Sequence, residues 1–343
     1  MKSLKSMLTL LLILSFLLVS PLQIKQVKAQ DNTIYIRADG TVEGTDKIQQ
    51  TGNVYTFTDN ISGSISVEKD NVVVDGAGFT LQGDASGRGL DLYDDSTSIT
   101  IKNMRITNFD FGIHLSNSSH AIIESNYVAN NFEGIRINGG FNNTIAENTI
   151  ANNSDNGIGV LFNTRHNLFS GNTITNNRVG VLFHLYSADN TLSENLITAN
   201  NGMGIWLDGG SDNRIIRNDI TDNTRGIFIT AAINSTVYQN NFVNNTLHVD
   251  IYGNDPVTGF WDNGSQGNHW DDYTGIDSNG DGIGDTLYVI YENNQDNFPL
   301  VEKVIIPEFP SWTILLVMLV AVVAVTGIYR HNLTKQNQGR ADN

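Results

Sequence analysis

Between Gly267 and Thr286 the chain reads GNHWDDYTGIDSNGDGIGDT, and its side-chain oxygens fall at intervals that suit a hard cation. Asp277, Asn279 and Asp281 alternate, Gly282 stands where a loop must turn sharply, the carbonyl of Ile283 follows, and Asp285 holds the ninth position. That is the ligand spacing of a calcium loop, and Ca2+ is the expected ion. The twelfth position is Tyr288 rather than a bidentate Glu, and no helical pattern flanks the stretch. The expectation is therefore a helixless extracellular type of loop and not an EF-hand.

The elements that must carry this loop are set by a repeat. Six segments share Asn-x-(Ile/Val/Phe)-x-x-Asn, beginning at residues 126, 148, 172, 195, 218 and 240, which are 22 to 24 residues apart. Each is followed by an apolar step, such as Gly134-Ile135, Gly157-Ile158, Gly180-Val181 and Gly204-Ile205. Leucine-rich repeats are excluded because the scaffold positions are Ile, Val and Phe. Helical repeats are excluded because Asn, Gly, Thr and Ser fill each unit. Short β-branched strands such as GIRIN, GIWLD and GIFIT remain, joined by turn residues as the coils of a parallel β-helix.

Paired asparagine columns then have a structural role. Asn126, Asn148, Asn172, Asn195, Asn218 and Asn240 form one column, and Asn131, Asn153, Asn177, Asn200, Asn223 and Asn245 the other. At about 4.8 Å between coils their amides can form continuous ladders, and Asn also tolerates the left-handed backbone of tight bends. Seven coils would make a rod of about 34 Å.

On the Gly-apolar strands, residues between the inward positions stack outward. One exposed face is expected to present Trp206 and Phe228 beside Asp208, His184, Arg136 and His114. Apolar rings among polar groups suit sugar rings, so these six are candidate carbohydrate-binding residues. Asp208, Arg136 and His184 are the candidates for catalysis, although a glycosidase needs two carboxylates about 5 to 9.5 Å apart and Asp208 stands nearly alone.

The entry DNVVVDGAGFTLQG, the Asn coils and the exit GNHWDDYTGIDSNGDGIGDTLYVI together resemble the NosD-type right-handed β-helix proteins, within a superfamily of carbohydrate-binding and sugar-hydrolysing β-helices. The resemblance covers residues 50 to 300. It implies the fold directly and, as alternatives, a polysaccharide lyase, hydrolase or epimerase, or a copper-related accessory role. For copper, the seven histidines do not cluster at ligand spacing and soft ligands are missing.

Both ends carry targeting features. Lys2 and Lys5 precede an apolar run that ends before Val27-Lys28-Ala29, which reads as a signal peptide over residues 1–29. Residues 312–329 are apolar and uncharged, long enough to cross a membrane, with a basic tail at 330–343 expected in the cytoplasm. The preceding IPEFPSW is similar to sorting tails of archaeal surface proteins. Between them the expected order is an N-terminal cap with first coils over 30–102, regular coils over 103–253, a C-terminal cap with the calcium loop over 254–300, and a linker over 301–311.

This places the β-helix outside the cell, anchored in the membrane, with an extracellular glycan or envelope component as partner. The formal net charge of −16 argues against nucleic acid. No cysteine is present, which excludes disulfides and thiolate metal sites. Sequons at Asn60, Asn117, Asn142, Asn152, Asn234, Asn244 and Asn263 allow glycosylation.

Overall fold

The computed structural model describes residues 33–252, 258–291 and 294–306, and the signal, span and tail expected at the two ends lie outside them. Among the described residues no helix is long and apolar enough to cross a membrane.

A regular coil is built from three short strands, and near the C-terminal end two of them merge into the single strand Arg225–Tyr238. In one coil these are Ile122–Glu124, Tyr127–Ala129 and Glu133–Asn138; in the next they are Thr144–Ala146, Thr149–Ala151 and Asn156–Leu161. Every strand pairs in parallel with its counterpart one coil on, so the chain is an all-β parallel β-solenoid. The middle strands form a sheet of ten, from Ile61–Ser62 to His269–Trp270, so the stack is longer than the seven regular coils read from the Asn pattern. The two extra rungs at the N-terminal end, Ile61–Ser62 and Thr80–Gln82, have the alternation of the others without the ladder asparagines, whereas the His269–Trp270 rung continues the first column through Asn268.

Inward residues follow from strict register. Ile106, Val128, Ile150, Ile174, Ile197, Ile220 and Phe242 stack one above another, fully buried, along the axis. Each such side chain contributes about 1.5–3 kcal/mol by leaving water. The glycine of each Gly-apolar step has a steric cause. A Cβ on Gly157 would lie 2.7 Å from the Gly180 carbonyl oxygen and 2.9 Å from Asn177 Nδ2.

Three ladders are present, not two. In the first, the backbone N–H and Nδ2 of Asn126 both donate to Asn148 Oδ1 at 3.0 Å, while Nδ2 also donates to the Ile101 carbonyl. The second runs from Asn131 to Asn245 in the same manner. The third, Asn143, Asn167, Asn190 and Asn213, sits five residues before the first at another corner. The spacing of five between asparagines within a coil was the available signal for it.

The backbone role expected of the ladder asparagines is corrected. The left-handed residue is the one before each: Glu147 at φ 57° precedes Asn148, Arg217 at φ 56° precedes Asn218, and Asn130 at φ 58° precedes Asn131. That residue makes the bend, which turns the following amide inward to bond backbone of its neighbours.

Antiparallel pieces cover both ends, as exposed strand edges require. Val42–Glu43 pairs with Thr33–Ile36, and Ile48–Thr51 with Val54–Phe57, at the N-terminal end. At the other end Trp270 stacks between Phe242 and Tyr288, with ring centroids 4.3 and 4.4 Å apart, and a hairpin pairs Tyr288–Tyr291 with Asn294–Asp296.

Candidate functional site

The third strand of each coil positions the outward candidates. Register aligns His114, Arg136, Gly159, Leu182, Trp206, Phe228 and Asp250 in one column. Two groups form along it. At one end Trp206 and Phe228 lie with ring centroids 5.9 Å apart, and a hydrogen-bonded chain runs beside them. Trp206 Nε1 donates to Thr230 Oγ1 at 3.0 Å, Thr230 Oγ1 donates to Asp208 Oδ1 at 2.7 Å, and Asp208 Oδ2 meets His184 Nδ1 at 2.6 Å. A register shift after Leu207 places Asp208 opposite Ala231, and this brings Thr230 alongside the carboxylate.

The other group contains Arg136 and His114. His114 Nδ1 lies 2.8 Å from Asp91 Oδ1 and its Nε2 is 3.2 Å from Asn138 Nδ2. Arg136 sits over the Phe111 ring and reaches 3.6 Å from Glu133 Oε1. Burial holds the Glu133 carboxyl above its ordinary range, opposed by Arg136. Its Oε2 has no hydrogen-bond partner. Sequence reasoning missed Glu133 because it stands one residue before the Gly-apolar step, outside the alternation used to choose outward positions.

The expected open face is more enclosed than its alternation suggests. His114 is only 2 % exposed, so it is not a surface residue. Leu161, Val179 and Leu182 form a buried lateral cluster against which Met203 and Trp206 pack, and Trp206 and Phe228 are half-buried. Large side chains one coil apart are close enough to cover one another.

Exposed rings lie instead on the turns leaving consecutive third strands. Phe141 is 48 %, Phe162 49 % and Tyr186 67 % exposed, none of them selected from the sequence. Phe162 and Tyr186 have φ of 41° and 64°, a region bulky residues rarely occupy. Phe141 and Phe162 line a groove of about 580 Å³ with Ser116, Asn117, Asn138 and Asn163. The Phe162 ring contacts His184 edge-on, which joins this groove to the His184–Asp208 pair.

The Asp277–Asp285 loop is internally bonded. Asp277 accepts from the N–H groups of Gly280 and Gly282 at 2.7 and 2.8 Å, Asn279 Oδ1 from Asp281, Asp281 Oδ1 from Ile283, and Asp285 Oδ2 from Ser278. These N–H donors hold Asp277 below the usual carboxylate range. Among the described residues the acidic and histidine group close enough to hold a metal ion is not this loop but His248, Asp271 and Asp272.

A parallel β-solenoid with polar and aromatic side chains on its outward columns is the class these features define. Within it, the chain belongs to the NosD family, described as periplasmic copper-binding protein (NosD), which it matches over residues 47–275. A probable ABC transporter binding protein NosD of Stutzerimonas stutzeri is 29% identical over 140 residues, which is 40% of this chain and 30% of that protein. A NosD protein of Pseudomonas aeruginosa is 26% identical over 141 residues, again 30% of its length. The chain thus spans less than a third of these relatives.

Among solved structures, tailspike protein 2 of the Escherichia coli O157:H7 bacteriophage CAB120 aligns with a TM-score of 0.52 at 12% identity, covering 67% of this chain and 36% of that one. The periplasmic alginate epimerase AlgG aligns with a TM-score of 0.43 at 20% identity over 57% of this chain and 51% of its own. At these identities the likeness concerns the fold.

The family description names copper, which takes soft sulfur donors in its cuprous state. The chain has no cysteine. Among the described residues the methionines are Met104, buried in the core, and Met203, packed on the lateral cluster. The described residues therefore do not fit the soft coordination of cuprous copper.

Proposed function

We propose that the chain is an envelope β-solenoid that binds an extracellular glycan along the third strands and the aromatic turns beside them. The observation that supports this best is the exposure of Phe141, Phe162 and Tyr186 on successive turns, Phe141 and Phe162 lining one groove. Phe162 and Tyr186 are also held in a costly backbone region, which is tolerated where function needs it. Polar groups of Asn138, Ser116 and the His184–Asp208 pair lie at its edge. Rings flanked by acceptors and donors are the surface that a sugar face and its hydroxyls match.

An envelope location accords with the family description and with the expected signal peptide over 1–29 and span over 312–329. Polysaccharide turnover is the weaker reading, because Asp208 and His184 are engaged with each other and Arg136 with Phe111 and Glu133. In the Asp277–Asp285 loop the proposal includes calcium, tested by calorimetry on the protein and its Asp281→Ala variant. For the glycan, an array probed with the purified protein should give a binding class that Phe162→Ala weakens at least tenfold. If no glycan is retained by the parent protein, the reading fails.

A further inference from the structure

The last coil and the C-terminal cap meet at three side chains that the glycan reading does not use. His248 lies on the strand Leu247–Ile251, while Asp271 and Asp272 follow the strand His269–Trp270. The His248 side chain is 9 % exposed, and its Nε2 stands 2.8 Å from Asp271 Oδ1 and 3.4 Å from Asp272 Oδ1. One ligand atom from each residue lies within 4.8 Å of the other two.

Both carboxylates are oriented by their far oxygens. Asp271 Oδ2 accepts from the Asn244 N–H at 2.6 Å, and Asp272 Oδ2 accepts from the Tyr288 hydroxyl at 3.2 Å, which leaves the Oδ1 atoms facing the imidazole. The ring itself is held against Phe242 and Trp270, with centroids 6.0 and 5.9 Å away. A cavity of about 480 Å³ opens beside the three side chains. Ligands fixed by outer hydrogen bonds and a packed ring are the arrangement that orients metal-binding groups.

We propose that His248, Asp271 and Asp272 bind a borderline divalent transition ion of the zinc class, and that this ion fastens the end cap to the last coil. One imidazole nitrogen with two carboxylate oxygens suits such an ion, with water completing the shell. At metal–ligand distances of about 2.0–2.2 Å, tetrahedral ligands stand about 3.4 Å apart; the His248–Asp272 separation already matches, and the 2.8 Å His248–Asp271 contact would open by about 0.6 Å as the ion replaces its hydrogen bond. Calcium is a poorer match because it takes six to eight oxygens, and cuprous copper because none of the three ligands is a sulfur. The ion would cross-link residues 248 and 271–272, which otherwise belong to separate elements.

The test uses the full chain, stripped with a chelator and then supplied with zinc chloride or calcium chloride. Metal analysis should find one zinc per chain, and thermal unfolding should shift upward by about 5 °C or more at a hundredfold excess over Kd. His248→Ala and Asp272→Asn should each abolish both effects, while His120→Ala, at an exposed histidine elsewhere, should leave them intact. Asp272 is exposed, so its conservative variant keeps the fold if His248→Ala does not. Zinc retained by Asp272→Asn at the parent stoichiometry, or bound without any thermal shift, would show an adventitious ion only and overturn the proposal.

Discussion

The backbone N–H of Asn268 donates to the Asp296 carboxylate at 2.7 Å, at the position where every earlier rung of the same column has an asparagine carbonyl. Asn240 donates in the usual way to Asn268 Oδ1, so the first ladder ends on a carboxylate. Trp270 Nε1 and the Phe298 N–H donate to the same group. Gly267 leaves the room, since a Cβ there would overlap Asp296. A buried amide column needs an acceptor at its last member, and Asp296 supplies it from the cap hairpin.

Asp296→Ala should strand the N–H of Asn268 and the indole of Trp270. At about 1–3 kcal/mol for each buried donor left unpaired, the loss should be at least about 2 kcal/mol, measured as a lower denaturant midpoint. Asp296→Asn keeps an acceptor oxygen and should retain most of the stability.

Within the rod, Asn172→Ala should cost about 3 kcal/mol or more. It removes the oxygen that accepts both the N–H and Nδ2 of Asn148, and it frees the Ile145 carbonyl. Asn130→Ala changes an exposed left-handed residue and should cost only about 1–2 kcal/mol. Equal losses at the two sites, read by chemical denaturation, would contradict the ladder as the stabilising element.

Two glycines two residues apart should behave differently. Gly157→Ala forces a Cβ against the Gly180 carbonyl, and overpacking of this kind costs about 1–3 kcal/mol or prevents folding. Gly159→Ala meets Glu133 Oε2 at 3.2 Å, the end of a side chain that has only to give by a few tenths of an ångström, so its loss in soluble yield and melting temperature should be clearly smaller than that of Gly157→Ala.

Glu133 gives a pH signature. Burial raises its folded pKa above the ordinary 4.5, so its favourable contribution is complete below that value and is lost as pH rises through the folded value. Glu133→Gln is neutral throughout. It should melt higher than the parent at pH 7 and near the parent at pH 4; a difference independent of pH would assign the effect to packing instead.

The glycine-apolar step and the two Asn columns were legible because each coil repeats the same local demand, and a repeated demand leaves a period. The third column was equally periodic at Asn143, Asn167, Asn190 and Asn213, and was missed because no apolar step marks it. Exposure of the outward face was not legible. Alternation says which way a side chain points, but Leu161 and Leu182 are buried by neighbours from other coils, and His114 is enclosed among Asp91, Asn138 and Phe111.

Sequence alone therefore determined the parallel β-solenoid and its register, since these depend on period and on local turn chemistry. Tertiary structure alone decided that the cap closes the ladder through Asp296 and brings His248 to Asp271 and Asp272. Those contacts join residues with no shared period, and only the folding of the cap onto the last coil sets their distances.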